Sequence, residues 1–302
     1  MIAKSLDESP VADVDRKTLL AHLRVLAGDE TAGRQSDTPG AARVREYLTR
    51  TLADLGVEPF FPGYLQPFVF KDIDGKRAQG INVIGMIRGT THPETTVVAS
   101  AHYDHLGKAP DGATYNGADD NASGVACVLE LARMFSQSAP TCTIVFCFFD
   151  GEEAELEGSK AFVSRGALPR EQVAVVVNVD MIARADEGLL WAAGAHHSPW
   201  LAPHLDAIAA VVDVPLVLGH DRFSLVPGEN WTYESDQGAF HDAGIPWLYF
   251  GVRNHEDTHE VSDDLAGIDE HFFLECARAV ALAVRHFDRI GDELRRQRWD
   301  DR

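Results

Sequence analysis

Cysteine, basic charge and long apolar stretches are all in short supply in this chain, and each shortage closes a class of function. Four cysteines occur in 302 residues, Cys127, Cys142, Cys147 and Cys276, each inside an apolar segment. Their spacing matches no zinc ribbon, and apolar surroundings point to buried free thiols. Lys and Arg number 27 against 47 Asp and Glu, giving a formal net charge of −20 with no basic run. Nucleic acids and anionic membranes attract cation-rich surfaces, so neither is expected as a partner. No stretch approaches the roughly 20 apolar residues of a membrane-spanning helix. The opening MIAKSLDESPVADVD also lacks the apolar centre of a signal peptide. The expected location is the cytoplasm, or outside the cell if a leader was removed beforehand.

What the chain does contain is ordinary globular material, 45% hydrophobic and 25% charged. Residues Lys17 to Leu26 and Gly40 to Leu55 read as helices; in the second, Val44, Tyr47, Leu48, Leu52 and Leu55 recur at helical spacing and Gly56 follows as a stop. Segment 59–80, with its prolines, aromatics and a DIDG turn, suggests a hairpin or edge strand. From residue 81 onward short apolar runs alternate with helical stretches. INVIGMI, TVVASA, TIVFCFF, VAVVVNVD and IPWLYF read as strands; helices are expected through VACVLELARMF, near KAFVSRG, over 199–212 and over about 270–290. Continuous Val, Ile and Phe runs suit strands buried on both faces. No linker separates two units. The expected fold is one three-layer α/β domain over 1–302, a mostly parallel (mixed) central sheet covered by helices on both faces, with 1–15 as a flexible N-terminal segment.

Ligands of open α/β sheets bind at the carboxyl ends of the strands, so the residues following each expected strand carry the information. After TVVASA comes His102-Tyr-Asp104-His105; after TIVFCFF comes Asp150-Gly-Glu152-Glu153; after VAVVVNV comes Asp180; after IPWLYFGV comes His255-Glu-Asp-Thr-His259. Between the first two lies a Gly-rich acidic loop that opens a helix, Asn116-Gly-Ala-Asp119-Asp120-Asn121-Ala-Ser-Gly124. His and carboxylate donors without cysteine suit zinc, or manganese or cobalt. One donor from each place exceeds the three protein ligands a single catalytic zinc takes, so two ions sharing a carboxylate is the natural arithmetic. Such a pair can acidify a water and polarise a carbonyl, and a Glu beside a ligand Glu can accept the water's proton. Residue chemistry alone does not choose within Asp119/Asp120, where either can cap the helix, within Glu152/Glu153, or within His255/His259.

These motifs, in this order, resemble the co-catalytic two-zinc aminopeptidases of the bacterial leucyl aminopeptidase and aminopeptidase Y type, a family related to glutaminyl cyclases. GRQSDTPG, INVIGMIRG, EEAELEGSKAF and SDQGAFHDAGIPWLYFGV extend the resemblance over about residues 20–285. It implies that Asp120 bridges two zinc ions, that His102 and Asp180 complete one and Glu153 and His259 the other. It also implies that Glu152 is the general base and then the acid, that Asp104 orients the His102 imidazole, and that the Asp120–Asn121 peptide is cis. The implied reaction removes the N-terminal residue of a peptide with a free N-terminus. The alternatives are a single-zinc acyl transferase like the glutaminyl cyclases, against which intact His102 argues, and a two-metal carboxypeptidase or deacylase, in which a Glu usually stands where Asp180 does.

Several neighbours need a reading of their own. HEDTH, residues 255–259, satisfies H-E-x-x-H, but that one-zinc motif works only on a helix; here it follows a strand and precedes a turn-like VSDDLAGID. His105 reads as a cleft-lining or surface histidine, and Asp263 as a turn or supporting residue. The family often has Tyr before its last histidine where this chain has Thr258, and Tyr233 is a candidate substitute. The specificity pocket is expected in loops around 190–235, with Trp191, Trp200, Phe223, Trp231 and Tyr233 as possible lining.

Overall fold

The computed structural model describes residues 14–72, 75–166 and 168–300. The expected N-terminal segment up to residue 13, and Ile73 and Asp74 of the DIDG turn, lie outside them. Helix α1 (Arg16–Leu26) starts at Asp15, whose carboxylate accepts the Thr18 N–H at 2.6 Å, and α2 (Pro39–Asp54) starts at Thr38 with Pro in its first turn. A two-residue strand β1 (Glu58–Pro59) precedes β2 (Leu65–Lys71), whose residues alternate exposed and buried. β2 forms an antiparallel hairpin with β3 (Arg77–Ile87). The expected hairpin in 59–80 and the strand INVIGMI are therefore two parts of one ribbon.

The body of the sheet follows: β4 (His92–His102), α3 (Gly124–Gln137), β5 (Cys142–Phe149), α4 (Glu157–Ser164) and β6 (Val173–Val179). Next come β7 (Leu190–Ala193), α5 (Ala202–Ala209), β8 (Leu216–Leu218), α6 (Gln237–Asp242), β9 (Trp247–Gly251) and the long α7 (Glu270–Asp300). The strands form one nine-stranded sheet in the order β1-β3-β5-β4-β6-β9-β7-β8, with β2 also on β3. Its centre, β5-β4-β6-β9, is parallel; β3 joins β5, and β7 joins β9, antiparallel. The fold is thus a mixed sheet between helices.

Period-two alternation sends successive residues of the central strands to opposite faces. Val97, Ala99 and Ala101 of β4 and Ile144, Phe146 and Phe148 of β5 join a core with α1, α3, α5 and α7. Val98, Val145, Cys147 and Phe149 face a second core built with Phe162 of α4, Trp231 and Phe240 of α6. This is why the runs had to be apolar throughout. All four cysteines are buried and free, as their apolar settings predict. Among the described residues no helix is long and apolar enough to cross a membrane.

The register brings the chemistry to one edge. His102 at the end of β4 pairs with Phe149 at the end of β5, and Val179 at the end of β6 pairs with Phe250 of β9. Strand β4 sits between β5 and β6, so the connection leaving β4 (to β5, through α3) and the one leaving β5 (to β6, through α4) run to opposite sides, the place where open α/β sheets form a crevice.

Candidate metal centre

The acidic loop between β4 and α3 is held from three directions. The Arg34 guanidinium, fully buried, donates to the carbonyls of Asn116, Gly117 (2.7 Å) and Asp120 (2.9 Å). The Asp263 carboxylate accepts the N–H groups of Asp119 and Asp120 at 2.9 and 3.0 Å. Asn121 ties the loop to the end of β6, donating to the Val179 carbonyl at 2.9 Å. Gly117 turns the chain at φ 54°, where an added Cβ would lie 2.1 Å from the Asp120 carbonyl oxygen, so only glycine fits. The peptide between Asp120 and Asn121 is cis.

So held, the Asp120 carboxylate divides between two clusters. On one side His102 Nε2 lies 3.3 Å from Asp120 Oδ1 and 3.3 Å from Asp180 Oδ1. On the other, His259 Nε2 lies 3.1 Å from Asp120 Oδ2 and 3.4 Å from Glu153 Oε2. Zinc bonds of about 2.0–2.1 Å in a tetrahedron put neighbouring donors about 3.3 Å apart. Each cluster therefore has the spacing of donors around one ion, and the donor chemistry, two imidazoles and three carboxylates, fits zinc. Glu152 stands next to the first cluster, Oε2 at 4.0 Å from His102 Nε2, farther than the other oxygens.

Burial raises Asp120, but His105, His102 and His259 outweigh it and hold its carboxyl well below the usual range. His259, hydrogen-bonded to Asp120, is pushed up to about 9. Burial pushes Glu152 well above the ordinary carboxylate value; Glu153, Asp180 and Asp236 add to this and His102 opposes it. A set of carboxylates this dense is what cations would neutralise.

Each candidate residue has a definite place. Asp119 turns away from the clusters: its carboxylate accepts the Ala183 N–H at 2.6 Å and faces His255 Nε2 at 3.2 Å. His255 and His259 address different carboxylates from a turn, not a helix, and His259 sits at φ 61°. Asp104 lies beside both His102 and the Glu pair. Its Oδ1 is 3.8 Å from His102 Nδ1, and its two oxygens accept the N–H groups of Glu152 and Glu153 at 3.1 and 3.3 Å. Asp104 thus supports the Glu pair. His105 is not at the surface: its ring is buried, with Nδ1 at 2.7 Å from Glu153 Oε1.

The cleft over the clusters measures roughly 270 Å³ and is walled by Met181, Trp231, Tyr249, Val252 and the polar Glu229, Glu234, Arg253 and Asn254. Of the aromatics expected there, only Trp231 lines it. Phe223 is 84% exposed, and Tyr233 is a surface residue donating to Asp242 at 2.9 Å, so Tyr233 is no substitute for the missing family Tyr. Sequence reasoning missed Tyr249, on the cleft wall, whose hydroxyl donates to the Asp180 carbonyl at 3.1 Å. It also missed Arg34; the signal available was a lone Arg in a Gly-rich GRQSDTPG segment.

The chain is similar to several known proteins. The model of a family described as peptidase family M28 matches residues 82–284. A probable zinc metalloprotease of Pyricularia oryzae is 31% identical over 189 residues, 58% of this chain and 37% of that protein. A probable leucine aminopeptidase of Arthroderma otae is 23% identical over 289 residues, 91% of this chain and 73% of that one. The chain spans only about a quarter to two fifths of the first curated relatives it matches, 37% and 24% of their lengths. Among solved structures, a zinc aminopeptidase from Bacillus subtilis superposes with TM-score 0.74 at 16% identity, covering 90% of this chain and 95% of that one. A glutaminyl cyclase from Bacteroides thetaiotaomicron gives 0.72 at 18%, covering 90% and 98%. At these identities the structures establish the fold.

Proposed function

This chain belongs to peptidase family M28, and on that premise we propose that it is an aminopeptidase with two zinc ions, removing the N-terminal residue of a peptide. The observation carrying this reading is the division of Asp120 between two clusters, each with a histidine and a second carboxylate at 3.1–3.4 Å. His102 and Asp180 would hold one ion, Glu153 and His259 the other, with Asp120 between them. The ions would supply polarisation of the scissile carbonyl and acidification of water; manganese or cobalt could replace zinc.

The protein's own groups do the rest. Glu152, beside the first cluster with its amide tethered to Asp104, accepts a proton from the attacking water. The water oxygen bonds to the carbonyl carbon, the C–N bond breaks, and Glu152 passes that proton to the departing amine nitrogen. Asp104 positions Glu152 and Glu153 through their amides. Glu234 on the cleft wall supplies a carboxylate suited to a substrate's free α-ammonium group, while Glu229 beside it is paired with Arg253 at 2.8 Å. The names of the relatives, zinc metalloprotease and leucine aminopeptidase, support the same reading.

Zinc titration of metal-free protein combined with aminoacyl-anilide hydrolysis tests it. Two ions per chain with turnover that depends on them is the expected result. A single tight ion with cyclisation of N-terminal glutamine would point to the glutaminyl cyclase reading instead.

A further inference from the structure

We propose that His105 is a positioning residue that holds one oxygen of Glu153 and so keeps the other aimed at the second metal position; the proposal rests on the two-metal reading above. Glu153 Oε1 is engaged by His105 Nδ1 at 2.7 Å, while Oε2 faces His259 Nε2 at 3.4 Å. The two oxygens of one carboxylate thus have separate tasks. With Oε1 held, Oε2 is kept beside His259 Nε2; a carboxylate free to swing would spend less time with an oxygen presented to that cluster.

The ring is built to stay where it is. It is buried, and its Nε2 is buried with no hydrogen-bond partner among the described residues. Its one polar anchor is therefore Nδ1, which as an N–H donor satisfies a carboxylate. Gly117 makes the room: a Cβ there would come within 2.5 Å of His105 Cδ2. The ring also borders the other carboxylate of the same cluster, with Nδ1 at 3.8 Å from Asp120 Oδ2, and its centroid is 6.0 Å from that of His259. It therefore bears on the Glu153–His259 cluster and not on the His102–Asp180 one.

Calorimetric zinc titration of metal-free protein tests this without relying on activity. Partners that orient ligands are typically worth 10–100-fold in metal affinity. In His105→Ala one of the two binding steps is expected to weaken by about 10–100-fold, the other holding at its wild-type value. Glu153→Ala should abolish that same step. Asn places an amide nitrogen where Nδ1 stands, so His105→Asn should restore the step, and it decides the matter if His105→Ala fails to fold. Wild-type titration by a folded His105→Ala, equal weakening of both steps, loss of a different step in Glu153→Ala, or no rescue in a folded His105→Asn would each overturn the proposal. Wild-type protein that binds fewer than two ions would overturn the two-metal reading instead.

Discussion

Replacing Glu152 with Gln separates proton transfer from metal binding, because the two amino acids share a shape and differ in one ability. The backbone of residue 152 is held by its amide bond to Asp104 at 3.1 Å, which does not involve the side chain. Burial raises the Glu152 carboxyl above its ordinary range, and Gln keeps the shape of that side chain while removing its charge. The expected change in metal-free stability is under about 1 kcal/mol, in line with an isosteric replacement. Metal binding should persist, since the donors at 3.1–3.4 Å are untouched and Glu152 stands off at 4.0 Å. Turnover should not persist. General base catalysis is worth about 10²–10⁴-fold, or about 3–5 kcal/mol of barrier at 1.36 kcal/mol per decade. The assay is kcat for an aminoacyl-anilide at saturation, with bound metal measured on the same sample. A fall in kcat smaller than about tenfold would refute the assignment of Glu152 as base. Loss of activity together with loss of one metal would show that Glu152 is a ligand, the role its closeness to His102 and Asp180 also permits.

Other outcomes follow from the same geometry. Asp263→Ala removes the acceptor of two buried N–H groups in the ligand loop; at about 1.5–3 kcal/mol for each bond to a charged group, the urea midpoint should drop markedly and zinc affinity with it. Gly117→Ala forces a Cβ to 2.1 Å from the Asp120 carbonyl oxygen, and apo-protein titration should show both zinc steps weakened, because Asp120 serves both clusters. Chelation should abolish activity, and added zinc should restore it along with an increase in Tm that depends on zinc concentration. Far from the metals, burial against α5, with His204 and Arg289 nearby, lowers His286 to about 4. A histidine depressed in the folded state stabilises the fold above its unfolded value of about 6.5 and loses that contribution as pH falls. Wild-type stability relative to His286→Gln, measured without metal, should therefore fall by about 2 kcal/mol between pH 7.5 and 5; no change would refute the burial argument.

The sequence alone determined more than the class of fold. Apolar runs of β4, β5, β6 and β9 were legible because strands covered on both faces must be apolar at every position, and His102 and Asp180 were legible because they end or directly follow such runs; Glu152, Glu153 and His259 lie a few residues beyond a strand end, and the choice within Glu152/Glu153 and His255/His259 rested on the family resemblance. Short edges were not: β7 and β8 are too brief to show a period, and α6 is a six-residue helix inside a motif-rich segment. Tertiary structure decided which member of each adjacent pair faces the clusters. Asp119 and Asp120 have the same chemistry, and only the cage of Arg34 and Asp263, drawn from far along the chain, with Asn121 anchored to the end of β6, turns one inward and the other toward His255. It likewise decided the fate of His105, which one residue after Asp104 could have ended in solvent. Burial beneath Glu153 depends on the room at Gly117 and on how β4 meets β5, and neither is encoded in the spacing of the residues themselves.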